Sequence, residues 1–240
     1  MDLDGRRILI TGAGRAGGLG AAVARAAAER GARVIVSARR REDAEARAAE
    51  LGAGATALAL DIADPASIAE AVAEVGKGGL DVLVNNAAVT SAWGETAEAA
   101  DLDAARRAME VILYGTWAMC QAFLPLLRAA PSGRIVNVSS GAGSHSDMVF
   151  GLPSQNAMGP SYAVAKAALN ALTHRLGLDL ADTTIRVNAV CPGFTATFPG
   201  GAEMGARPPE ESAAGVLWAA TLPDDGPTGG FFRDGAPLGW

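Results

Sequence analysis

Seven short runs of apolar and β-branched residues recur along the chain, most of them separated by a segment long enough to be a helix. They are ILIT at 8–11, RVIVS at 33–37, TALAL at 56–60, DVLVN at 81–85, RIVNVS at 134–139, RVNAV at 186–190 and GGFFR at 229–233. Each run is continuous rather than alternating in polarity, as a strand covered on both faces must be. Strand and helix in regular succession predict an α/β fold, one doubly wound, seven-stranded parallel sheet with helices on both faces.

The intervening segments carry helix punctuation. Asp64-Pro65 combines an N-cap with a first-turn proline, and Ile68, Val72 and Val75 recur on one face before Gly76 ends the pattern. Gly31 closes the first helix in the same way. The longest helical pattern runs from about Asp101 to Arg128 and is apolar all round its middle, so burial by the sheet and by a second subunit is expected. Pro125 should bend or end it. Two stretches, 140–160 and 193–210, are rich in Gly, Pro and Ser, and each follows a predicted strand. Ligands of open α/β sheets sit beyond the carboxyl ends of the strands, so a substrate pocket belongs to these two loops.

Composition narrows the class. The 240 residues hold no internal repeat and no linker-like segment, so 1–240 reads as one domain large enough to bury a core. The net charge of −6 is thinly spread and arginines cluster only at Arg39-Arg40-Arg41, which argues against a nucleic-acid partner. Cys120 and Cys191 are far apart in apolar settings and form neither a redox pair nor a metal-ligand spacing, so no metal site is expected. MDLDGRR lacks a signal pattern, and no window reaches roughly 18 uninterrupted apolar residues. The expectation is a cytoplasmic protein with no membrane partner.

Between the first strand and the first helix stands Thr11-Gly-Ala-Gly-Arg-Ala-Gly-Gly-Leu-Gly20. Gly12, Gly14 and Gly17 match GxGxxG literally, in the strand-to-helix setting where glycines let backbone N–H groups approach a pyrophosphate at a helix N-terminus. At the end of the second strand the acidic residue that would hold a ribose 2′-hydroxyl is missing, and Ser37-Ala38-Arg39 stands there instead. Arg39 suits a 2′-phosphate, with Arg15 as a second cation, which favours NADP(H) over NAD. Further along, Tyr162 and Lys166 are spaced to share one helix face, where a cation would lower the tyrosine pKa toward a value useful for proton transfer.

With the glycine loop and Tyr162 to Lys166, four further motifs complete an ordered series at strand ends: Asp61-Ile62, Asn85-Asn86-Ala87-Ala88, Val138-Ser139-Ser140, and Pro192-Gly193 with Thr197. The series resembles the short-chain dehydrogenase/reductase family over essentially the whole chain, from Arg7 to Gly235, and PDDGPTGGFFRDG looks like its carbonyl-reductase-like branch. The resemblance implies a single Rossmann-type domain with strand order 3-2-1-4-5-6-7. It implies that Tyr162 is the general acid toward a carbonyl oxygen, that Ser140 hydrogen-bonds that oxygen, and that Lys166 tunes Tyr162 and holds the nicotinamide ribose. Asp61 and Ile62 would meet the adenine, and Asn86 and Ala87 would border its ribose. Pro192, Gly193, Thr195 and Thr197 would line the nicotinamide end. A homodimer or homotetramer is implied, built on the long helix and the helix after Ser161.

The chain departs from the family pattern in four places, the slightest being Ala88, where the Asn85-Asn86-Ala87-Ala88 motif commonly ends in glycine. The glycine loop has two extra residues; because Gly20 keeps the family spacing to Gly31 and Arg39, the insertion precedes Gly18. That register gives the turn to Gly12 and the cofactor approach to Gly18, Leu19 and Gly20, with Gly14 to Gly17 as a bulge carrying Arg15. Ile112 replaces the asparagine that holds a relay water in the family, so proton resupply to Tyr162 must take another path. The loop between Ser140 and Tyr162 is long; its Met148, Phe150, Leu152 and Met158 could wall an apolar substrate or pack on the loop itself or on a neighbouring subunit. His145, in the same loop, reads as solvent-facing. The expected activity is NADPH-dependent reduction of a ketone or aldehyde, or the reverse, on a small apolar carbonyl or alcohol. Chemistry at a C=N bond, a redox-neutral isomerisation and a non-catalytic NADP-binding sensor or assembly protein stay open as alternatives.

Overall fold

Alternate residues of the central strands enter two different hydrophobic cores, which is why those strand sequences are apolar throughout. In the computed structural model, which describes residues 2–92, 94–154 and 158–240, the first strands are β1 (Arg7–Ile10), β2 (Arg33–Ala38), β3 (Ala55–Ala59) and β4 (Val82–Asn85). They are followed by β5 (Arg134–Val138), β6 (Arg186–Val190), β7 (Phe231–Arg233) and β8 (Ala236–Pro237). On one face Ile8, Ile10, Val34, Val36, Val84 and Val136 pack under α1 (Leu19–Ala28) and α7 (Pro209–Ala220). On the other, Leu9, Ile35, Leu83, Ile135 and Val187 pack under α3 (Pro65–Gly76) and α5 (Thr116–Ala129). The remaining helices are α2 (Arg41–Leu51), α4 (Leu102–Met109) and α6 (Pro160–Asp179). As expected, Asp64 caps α3, its side chain accepting from the Ala66 N–H at 3.0 Å.

Among the described residues the sheet has eight strands, in the order β3-β2-β1-β4-β5-β6-β7-β8, not seven. The first seven are parallel, in the expected order, and β8 adds an antiparallel edge through the pairs Phe232 with Pro237 and Arg233 with Ala236. The turn between β7 and β8 is Asp234-Gly235, both at positive φ, the dipeptide and conformation of a two-residue hairpin. Asp-Gly is therefore the signal for the eighth strand.

Pro125 does not end the long helix, which continues to Ala129. Its irregularity lies earlier, in a π-helical segment at Glu110–Gly115 between α4 and α5. Gly115 is required there, because a Cβ would sit 2.7 Å from the Ile62 carbonyl oxygen. Leu102–Ala129 is long and apolar enough to cross a membrane by length and composition, yet Met119, Cys120, Phe123 and Leu127 are buried in the sheet core. Tyr114 and Trp117 on the same helix are exposed. The two irregular loops lie where expected, after β5 and β6, with residues 155–157 of the first outside the described residues.

Candidate active site

The glycine loop is shaped by what a side chain would strike. Gly12 has φ +66, and a Cβ on it would lie 2.8 Å from the Ala87 Cα. A Cβ on Gly20 would lie 2.6 Å from Asn86 Nδ2 and 2.9 Å from the Gly12 oxygen, so the first turn of α1 presses directly on the loop. Gly18 is the α1 N-cap and brings no side chain to the first-turn N–H groups, which are left to face an anion. Gly17 is open, and the Gly18 N–H bonds to the Arg15 carbonyl at 3.0 Å, closing the inserted residues into a turn. Gly14 is more than part of a bulge: a Cβ there would lie 2.6 Å from that of Ala38, at the end of β2.

The loop is held from below by β4. Thr11 Oγ1 accepts from the N–H groups of Asn86 and Ala87 at 2.9 and 3.0 Å, and Asn86 Nδ2 donates to the carbonyls of Thr11 and Gly12 at 2.8 and 3.2 Å. The Asn86 side chain is thus committed to the glycine loop, a positioning contact that its family role does not include. Asp61 accepts from the Ala63 N–H at 3.0 Å, and Ile62 is buried. Arg39 is exposed just beyond β2, and among the described residues its side chain has no ion pair or hydrogen bond. Arg15 is likewise unpaired among them. It lines a pocket of about 250 Å³ with Gly17, Ala196, Thr197, Phe198 and Pro199, a pocket that Arg39 does not reach.

At the carboxyl end of β5, Ser140, Tyr162 and Lys166 come together. Tyr162 and Lys166 lie on α6, with Lys166 Nζ 5.5 Å from the Tyr162 ring centroid, and Tyr162 is hydrogen-bonded to Ser140. Lys166 Nζ donates to the Val138 carbonyl at 2.6 Å. Burial pushes the Tyr162 hydroxyl up to about 12, the Ser140 bond offsetting part of the rise, and burial pushes the Lys166 ammonium down to about 7. The direction is opposite to the expected lowering, because desolvation outweighs the Ser140 hydrogen bond. Ser139 donates to Asn170 Oδ1 at 2.5 Å and Asn170 to the Gly143 carbonyl at 3.3 Å, tying the serine loop to α6. The N-terminus of α6 is held by Glu95, whose carboxylate accepts from the Ser161 N–H and hydroxyl at 3.0 and 2.6 Å. Neither Asn170 nor Glu95 belongs to a recognisable motif.

The loop after β6 is braced by side chains. Thr195 Oγ1 contacts Ser212 Oγ at 2.7 Å and donates to the carbonyls of Pro192 and Gly193, both at 3.2 Å. Gly193 has φ +73, and Thr197 lines the Arg15 pocket. Arg207, missed in the sequence, places Nη2 and Nε 2.6 and 3.0 Å from the Pro192 carbonyl oxygen. Phe150 from the β5 loop stacks on Phe194 at 6.2 Å, and Phe194 meets Phe198 at 6.0 Å, so aromatic contacts join the two loops. Met148 is 71% exposed and His145 faces solvent, as expected for the latter. Ile112 is buried among Ala108, Ala165, Leu169 and Leu172, inside the π-helical segment, so the helix is interrupted there without an asparagine.

A Rossmann-like parallel sheet with a glycine cradle after β1 and a Ser-Tyr-Lys cluster beyond β5 defines the frame of a nucleotide-dependent oxidoreductase. A family model described as short chain dehydrogenase matches residues 6–203. A sorbitol dehydrogenase of Cereibacter sphaeroides is 38% identical over 199 residues, 80% of this chain and 72% of that protein. The oxidoreductase UcpA of Escherichia coli K12 is 39% identical over 200 residues, 81% of this chain and 71% of the other. Among solved structures, NADPH-bound carbonyl reductase from chicken fatty liver superposes with a TM-score of 0.83 at 29% identity, covering 99% of this chain and all of that one. The chain belongs to the short-chain dehydrogenase family.

Proposed function

We propose that this protein is an NADPH-dependent reductase of ketones or aldehydes, able to run in reverse as an alcohol dehydrogenase. The observation that carries the reading is the Ser140-Tyr162-Lys166 cluster at the carboxyl end of the sheet, with Lys166 buried and Ser140 and Tyr162 partly so. The residues fit a dinucleotide: the close backbone approaches at Gly12 and Gly20 leave no room for side chains, and Arg39 and Arg15 are cations without partners among the described residues. In this reading Gly12, Gly18, Leu19 and Gly20 cradle the pyrophosphate, Arg39 meets the 2′-phosphate, and Asp61, Ile62 and Ala87 border the adenosine. Pro192, Gly193, Thr195 and Thr197 face the nicotinamide end. The similar carbonyl reductase from chicken fatty liver has NADPH bound, which supports the choice of cofactor.

When bound, the cofactor supplies a hydride to the carbonyl carbon. The chain's own groups handle the proton. Tyr162, pushed up to about 12, is protonated at neutral pH and able to donate to the carbonyl oxygen as charge develops there. Ser140 shares that oxygen and orients it. Lys166, pushed down to about 7 by burial in the ligand-free protein, holds the ribose beside the phenol. The aromatic contacts among Phe150, Phe194 and Phe198 favour an apolar substrate body. The exposed Tyr114 and Trp117 suit burial in a homodimer or homotetramer.

The test is NADPH binding, followed by NADPH consumption over a panel of aldehydes and ketones, for wild type and Tyr162→Phe. Turnover that disappears in Tyr162→Phe while NADPH still binds is expected. Unchanged turnover would overturn the mechanism, and binding without turnover on any panel member would favour a sensor.

A further inference from the structure

The FFRDG segment at 231–235 supplies the last hairpin of the sheet and has no part in the chemistry described above. The geometry points to Arg233 and Asp234 as two positioning residues that clamp the site from this hairpin, Arg233 fixing the serine loop and Asp234, through Arg207, fixing the nicotinamide loop. The roles of those two loops rest on the reductase reading; the clamp itself does not.

Adjacent residues at a strand end diverge, and these two reach opposite loops. Arg233 Nη2 pairs with Asp147 Oδ2 at 2.6 Å, and its Nε donates to Cys191 Sγ at 3.3 Å. The Gly141 N–H donates to the same sulfur at 3.1 Å, and a Cβ on Gly141 would lie 2.6 Å from Asp147 Oδ2 and closer still to Arg233. The arginine thus presses on the residue next to Ser140. Asp147 also accepts from the N–H groups of Val149 and Phe150, both at 3.0 Å, so one ion pair spans the loop from the serine to the aromatic wall.

Asp234 grips Arg207 at both ends of its fork, 2.7 and 3.0 Å, and Arg207 bonds the Pro192 carbonyl and, at 3.1 Å, Ser212 Oγ. The Arg207 backbone also joins Phe194 and Ala196 at 2.9 Å each. Asp234 has φ +53 and is the one non-glycine residue at positive φ among those described. The Asp-Gly turn thus presents a carboxylate toward Arg207 at the hairpin tip, a group that glycine at the same position would lack. The Asp234–Arg207 pair is half exposed on its acidic side and adds little to stability, whereas the Asp147 carboxylate is buried, so losing Arg233 also costs stability by leaving it without its cation. The partners of Arg233 and Asp234 flank Ser140 and Pro192, where a displacement near 1 Å costs up to about a hundredfold in rate.

The experiment compares Arg233→Gln, Arg233→Lys and Asp234→Asn with wild type by amide hydrogen exchange, NADPH titration through tryptophan fluorescence, steady-state kinetics and thermal unfolding. Arg233→Gln should raise exchange chiefly at 141–150, with a lesser rise confined to Gly193, whose N–H shares the Cys191 sulfur, lowering kcat about tenfold or more with NADPH affinity nearly unchanged. Arg233→Lys should recover part of that kcat, since it keeps the charge opposite Asp147. Asp234→Asn should loosen 192–207 alone and weaken NADPH about tenfold. Exchange unchanged in both loops overturns the clamp. So do both loops loosening together in step with a fall in Tm, which would mark a merely structural role. Selective loosening in a protein whose wild type neither binds NADPH nor reduces a carbonyl would support the clamp and refute the reductase reading.

Discussion

Arginine stitches both edges of the sheet, by the same chemistry and to different effect. At the amino-terminal edge Arg134 is fully buried and sends its fork to the carbonyls of Leu222, Gly133 and Thr184 and to Asp224, at 2.6 to 3.0 Å. Arg7 likewise donates to the carbonyls of Val75 and Gly79 there. At the carboxyl edge Arg233 and Arg207 reach a sulfur, a carbonyl and two carboxylates that flank Ser140 and Pro192. The first set joins connections remote from any ligand, so its value is stability. The second is more exposed and touches the loops of the site, so its value is geometry. Position along the strand decides what an arginine is for.

The largest effect that sharpens this contrast is kinetic and belongs to the carboxyl edge. Tyr162→Phe removes a proton donor while leaving the ring in place, so kcat should fall by about 10²–10⁴, with NADPH affinity and Tm near wild type. A comparable fall in Tm would break the contrast by showing that the hydroxyl is structural. The matching change at the other edge is Arg134→Met, which strips several carbonyls and Asp224 of their buried partner. Chemical denaturation should show a loss of about 3 kcal/mol, and kcat per folded molecule should not change. A kinetic defect at full folding would mean that the amino-terminal edge also sets the site.

Much of the fold, and part of the candidate site, is legible in the sequence because both are encoded over short stretches. Continuous apolar runs identify β1 to β7, since the central strands must serve two cores. The glycine register follows from the spacing of Gly20 to Gly31 and Arg39, whereas the neighbours that exclude side chains at Gly12 and Gly20 include Ala87 and Asn86, which only the fold brings there. The eighth strand is written in Asp234-Gly235, a signal the strand pattern alone passes over. What cannot be read are contacts closed by the tertiary fold. Arg233 and Asp147 stand 86 residues apart in the chain, and Ser161 and Glu95 stand 66 apart, with no periodicity to connect them. The sign of the Tyr162 shift escapes for the same reason. Spacing shows that Lys166 is near, but only the packed structure shows how far Tyr162 and Lys166 are desolvated.

Lys166 offers a smaller effect that could blur the division, because a group at the functional edge here costs stability. Its pKa is lowered from 10.5 to about 7 by burial, so between those values the unfolded chain binds the proton that the folded one has lost. Stability of the ligand-free protein should therefore rise with pH from about 7 until the Tyr162 phenol, whose folded value is the raised one, begins to ionise in the unfolded chain near pH 10. The rise should be about 2 kcal/mol between roughly pH 7.5 and 9, and Lys166→Met should flatten it. A slope that survives the substitution would assign the effect to another group and return Lys166 to a purely kinetic role.

The smallest effect tests whether the carboxyl edge also sets cofactor choice with a residue that no neighbour holds. Arg39 is exposed and lacks a partner among the described residues, so Arg39→Ala should leave Tm unchanged. If its guanidinium meets the 2′-phosphate, the ratio of NADPH to NADH affinity should fall about tenfold, the worth of one charge-assisted contact of about 1.4 kcal/mol. Arg15 lies over the α1 N-terminus and lines the pocket with Thr197 and Phe198, so Arg15→Ala separates two cases. Equal weakening of both cofactors places Arg15 at the pyrophosphate they share. Selective weakening of NADPH places it at the 2′-phosphate, and the two inserted residues then serve to carry a second cation to that group.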